Sequence, residues 1–100
     1  MKKDISKKQT STAGRKRKDF RIRTDPGSEV YISGSFNNWN GEAKKLKDLE
    51  GDGEYSISLL LPPGKHEYKF VINGEWHVDP ECEDWVVNEH GTLNNIVYVK

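Results

Sequence analysis

The chain has 100 residues, 33% of them hydrophobic and 32% charged, with a formal net charge of zero. That length holds one domain around one core, and the single cysteine, Cys82, excludes an internal disulfide and a thiolate metal cluster. The zero is itself uneven: residues 1–18 carry eight Lys and Arg beside one acid, Asp4, giving +7, and the remainder carries −7.

The basic segment holds only Met1, Ile5 and Ala13 as apolar residues, too few to offset the entropy of ordering it. This predicts a disordered arm over residues 1–18 and a folded domain over residues 19–100. The basic start leads into Lys-Gln-Thr-Ser-Thr-Ala-Gly and not into an apolar stretch, unlike a signal peptide, and nothing approaches membrane-spanning length. With an unpaired thiol, the expected compartment is the cytoplasm.

From Asp19 the apolar pattern has period two. Phe20 and Ile22 alternate with Arg21 and Arg23, Asp25-Pro26-Gly27 marks a turn, and Val30-Tyr31-Ile32 opens a second strand running towards Phe36. Ala43, Leu46 and Leu49 are spaced three apart, but the segment is short, has glycine on both sides and no clear cap. It reads as loop plus a short strand. Tyr55, Ile57, Leu59 and Leu61 form the next inward series; Pro62-Pro63-Gly64 ends it, and His66, Tyr68, Phe70 and Ile72 follow. Asn73-Gly74 is a strong hairpin signal, because a type I′ turn needs positive φ at both centres. Glu75 to Val78 returns from it, a long connection runs from Asp79 to Asn94, and Asn95 to Val99 closes the chain. Short strands separated by turns predict an all-β antiparallel sandwich.

Three segments concentrate chemistry: residues 34–39 (Gly-Ser-Phe-Asn-Asn-Trp), 68–76 (Tyr-Lys-Phe-Val-Ile-Asn-Gly-Glu-Trp) and 91–95 (Gly-Thr-Leu-Asn-Asn). Trp39 and Trp76 fall outside the inward alternation. A flat indole complements the axial C–H face of a glucose ring, while Lys and Asn supply donors and acceptors for hydroxyls. Lys69 points away from Tyr68 and Phe70, on the hairpin that carries Trp76. Taken singly, each feature has a plainer reading: tryptophans in small sandwiches are usually core, Trp85 included, and asparagine pairs satisfy turn backbone. The combination points to a carbohydrate.

The segments Val30 to Trp39, Leu61 to Trp76, Asp79-Pro80 and Gly91 to Ile96 closely resemble carbohydrate-binding module family 48. That family includes the glycogen-binding domain of the AMP-activated protein kinase β subunit and the early-set domains of isoamylases and branching enzymes. The resemblance implies an immunoglobulin-like (early-set) fold and an α-glucan site in which Trp39 and Trp76 stack on sugar. It also implies that Lys69 and Asn94 bond hydroxyls, with Thr92 beside them. His90 stands where the kinase subunit has leucine, and the loop from Asp79 to Gly91 is one residue longer and more acidic.

Other chemistry finds little support. His66, His77, His90, Asp79, Glu89 and Cys82 show no metal-ligand spacing, His66 reads as structural, and no base is placed beside a serine. Glu81, Glu83 and Asp84 read as a solvated face and not as a glycosidase pair. A non-enzymatic module without cofactor is expected, binding α-1,4-glucan, with a kinase or glucan-metabolising enzyme as a possible protein partner. The run from Arg15 to Lys18 reads as a solubilising tail before a nucleic-acid or membrane contact. The rival expectation is a protein-interaction sandwich with little sugar affinity, since fold alone does not decide function.

Overall fold

The computed structural model describes residues 14–100. Eight strands follow one another: β1 (Lys16–Arg23), β2 (Val30–Gly34), β3 (Lys44–Lys45), β4 (Glu54–Leu61), β5 (Gly64–Ile72), β6 (Glu75–His77), β7 (Trp85–Val87) and β8 (Leu93–Val99), with one 3-10 turn at Ser35–Asn37. They form two antiparallel sheets. β1 and β4 make the smaller; the larger runs β3-β2-β5-β8-β7, with β6 also paired to β5. The expected all-β sandwich is what forms.

Alternation decides what enters the core. Phe20 and Ile22 from β1 and Tyr55, Leu59 and Leu61 from β4 face Val30, Ile32, Tyr68, Phe70 and Val99 from the larger sheet. Phe20 meets Tyr68 edge-on across the interface at 5.0 Å between ring centroids, and Tyr68 meets Phe70 at 5.9 Å, separations favourable for aromatic pairs. His66 is buried, its Nε2 2.8 Å from the Pro62 carbonyl, the structural role expected of it. Tyr55 donates its hydroxyl hydrogen to the Asp25 carbonyl and accepts from the Ser28 amide, pinning the turn after β1. The Asn73-Gly74 hairpin forms as expected, with φ of 50° and 86° at its two centres.

Three expectations are corrected. β1 begins at Lys16, so the last residues assigned to the arm pair with Leu59, Leu60 and Leu61. Backbone pairing needs no apolar side chain, and Arg17 is held by Asp19 and Ser58. Residues 1–13 of that arm lie outside the described residues. The connection from Asp79 to Asn94 contains β7, and β8 starts two residues early, placing Asn94 within a strand. Trp85 is 57% exposed and not core. It pairs with Asn95, which pairs with Tyr68, so it lies on the inward face. The two-stranded sheet opposite does not extend far enough to cover it.

Candidate functional site

The site is built where β5 changes neighbours. Along one edge, Gly64 to Tyr68 pair with β8, and Phe70 to Ile72 pair with β6. Lys69 sits at the fork, and its side chain points to the outer face because Tyr68 and Phe70 point inward. A buried clamp holds the fork. Tyr68 donates its hydroxyl to Asp79 Oδ2 at 2.8 Å, the Asp79 amide donates to Asn95 Oδ1, and Asn95 Nδ2 donates to the Asp79 carbonyl. Burial first, then the bond to Asp79, pushes the Tyr68 phenol far above its ordinary range.

Trp76 lies opposite Val71 on β6, 49% exposed. Gly41 comes close beneath it: a Cβ at Gly41 would stand 3.7 Å from both the indole and Val71. Trp39 arrives from the 3-10 turn and is half-buried. Asn38 and Trp39 both take left-handed backbone, with φ of 56° and 58°, a conformation costing about 1–3 kcal/mol for a non-glycine residue. The surroundings hold it there. The Trp39 amide donates to the Gly34 carbonyl, and Asn37 accepts from the Gly34 amide while donating to the Ile32 carbonyl. Gly34 must remain glycine, since a Cβ would run into the Glu67 carbonyl oxygen and the Phe36 ring. The two indoles end 6.5 Å apart, inclined by 49°. They form a shallow wedge and not one flat plane.

Facing them is a hydrogen-bonded wall whose directions can be read from chemistry. Asn88 Oδ1 accepts from the backbone amides of His90 and Thr92, so its other end must donate. It donates to Thr92 Oγ1 at 2.8 Å and to Asn94 Oδ1 at 2.9 Å. The Asn94 amide then points to Glu67 Oε1 at 3.0 Å. Lys69 Nζ also donates to Thr92 Oγ1, at 3.0 Å. Wedge and wall enclose an open groove of about 830 Å³, lined by Trp39, Lys69, Trp76, Thr92 and Asn94 together with Glu67, Val86, Val87, Asn88, Glu89 and His90. All five residues singled out in the sequence thus border one groove, with His90 on its rim.

Residues 19–100 match the family model described as the glycogen recognition site of AMP-activated protein kinase. The chain belongs to this glycogen-recognition family. It is 46% identical over 77 residues to the β-1 subunit of 5'-AMP-activated protein kinase from Sus scrofa, covering 77% of this chain and 59% of that sequence. It is 46% identical to the Homo sapiens β-1 subunit and 42% identical to the Mus musculus β-2 subunit, each over 77% of this chain and 27% of the relative. The chain therefore spans less than two thirds of each of these relatives, and about a quarter of the Homo sapiens and Mus musculus subunits. What the family model describes is a glycogen recognition site, which in these relatives is part of a kinase subunit.

Sequence reading missed two members of the site. Glu67 alternates with core residues like any outward strand position, and Asn88 looks like ordinary loop composition. The available signal was the density of bonding side chains around Asn94. Among the described residues no cluster of three His, Cys, Asp or Glu is arranged to hold a metal, and no helix is long and apolar enough to cross a membrane.

Proposed function

We propose that the groove binds α-1,4-glucan without catalysis, as glycogen, starch or a maltooligosaccharide. Trp39 and Trp76 stack on successive sugar rings, and Lys69, Asn94 and Thr92 bond their hydroxyls from the facing wall. The supporting observation is the convergence of five residues from three separate segments on one groove, with the indoles 6.5 Å apart. A wedge suits the curved path of an α-glucan better than a flat cellulose-like chain. An open site gripping a few sugars corresponds to about −5 kcal/mol, a dissociation constant of hundreds of micromolar. Many copies of the ligand on one polymer strengthen retention further. A glycogen ligand and the free thiol of Cys82 both favour a cytoplasmic setting.

A second reading, docking on a kinase or a glucan-metabolising enzyme, is favoured by the edge strand β7, where Trp85 and Val87 are 57% and 64% exposed. Native electrophoresis with and without glycogen separates the two. Retardation of the wild type, lost in Trp76→Ala and kept in Trp85→Ala, supports the groove. A wild type that runs unretarded removes the glucan reading and leaves the docking one.

A further inference from the structure

The wall of the groove has a direction, and it ends on a carboxylate. Asn94 is only 6% exposed; its oxygen accepts from Asn88 and one of its two amide hydrogens goes to Glu67, so at most one hydrogen and one lone pair remain. The hydroxyl oxygen of Thr92 accepts from both Lys69 and Asn88, leaving only its hydrogen to offer. Lys69 donates and never accepts. Hydroxyls of a bound sugar, however, carry hydrogens that lose water on binding and need acceptors. Glu67 is half-buried, lines the groove and is oriented by the Asn94 amide through Oε1 alone. An ionised carboxylate has about four lone-pair positions, so most of its accepting capacity remains available.

Resting on the glucan reading above, we propose that Glu67 is a ligand-contacting, specificity-determining residue of this groove. It accepts from adjacent hydroxyls of one glucose unit and thereby selects neutral glucan over phosphorylated glucan. Asn94 orients it in addition to its own bond to sugar, and is set in turn by Asn88. Charge points the same way. Glu67 and the exposed Glu89 line the groove beside a single lysine, Lys69, so a sugar phosphate bound there meets two carboxylates. Like charges at close range disfavour binding strongly.

Isothermal titration of wild type, Glu67→Gln, Glu67→Ala and Trp76→Ala with maltoheptaose, and with a maltooligosaccharide bearing a 6-phosphate, tests this. Charge-assisted bonds are the strong ones, so Glu67→Ala weakens maltoheptaose binding about tenfold and Glu67→Gln a few-fold. Both variants also lose preference for the neutral sugar by several-fold, which a merely structural role does not produce. Thermal melts confirm that both remain folded. If both Glu67 variants bind at wild-type strength with unchanged preference while Trp76→Ala loses binding, the glucan reading stands and the role of Glu67 falls. A wild type that binds neither sugar overturns both.

Discussion

The two sides of the groove are made by opposite means. The aromatic side is apolar and uses strained backbone: Trp39 has a φ of 58°, and Trp76 stands on a two-residue hairpin with half its surface in water. The polar side from Asn88 to Asn94 is unstrained at its asparagines and dense in hydrogen bonds, each group fixing the direction of the next. Stacking tolerates small shifts of a sugar along the ring face, whereas hydrogen bonds do not. The aromatic side therefore supplies most of the affinity, and the polar side sets register and selectivity.

Several changes break or sharpen that contrast. The largest effect on binding belongs to Trp76→Ala, which lowers affinity for maltoheptaose by about 2 kcal/mol, roughly thirtyfold. Its melting temperature stays near wild type, because the ring is already half exposed. A large drop in melting temperature would show that Trp76 is a packing residue instead.

Next comes the clamp beneath the fork. Tyr68→Phe removes a hydroxyl from the buried Asp79 and costs about 1–3 kcal/mol of stability in chemical denaturation. The same bond has a pH signature. The phenol ionises far less readily in the folded chain than in the unfolded one, so its contribution is complete below about pH 10 and declines as pH rises above that. Stability of Tyr68→Phe should converge on wild type in alkaline solution, and parallel curves would speak against the clamp.

Asn88→Ala unties Thr92, His90 and Asn94 together. It should weaken maltoheptaose binding about fivefold, with a stability loss of about 1–2 kcal/mol from the amides left unpaired. Unchanged affinity would mean that the polar wall does not order the ligand. The smallest effect concerns Ser33, fully buried opposite Lys69, whose hydroxyl has no hydrogen-bond partner among the described residues. Ser33→Ala should raise stability by about 1 kcal/mol, read as a higher denaturation midpoint.

The aromatic side was more legible in the sequence than the polar one, for a physical reason. Period-two alternation put Tyr68 and Phe70 inside and Lys69 outside, and Asn73-Gly74 announced the hairpin that carries Trp76. These are local signals. Glu67 and Asn94 are 27 residues apart, and their pairing depends on where β5 exchanges β8 for β6, which no local pattern records. Trp85 reads as core in the sequence because its exposure depends on the width of the opposite sheet. Lys16 to Lys18 read as arm because their pairing with β4 is carried by backbone, to which alternation is blind.

The three tryptophans allow a direct test in one experiment. Nitrogen-proton correlation spectra recorded while maltoheptaose is added follow three indole N–H signals separately. With sugar seated between wedge and wall, the Trp39 and Trp76 signals shift and saturate together, and Trp85 stays in place. Movement of Trp85 with the other two still would place the ligand on the β7 edge and contradict the groove.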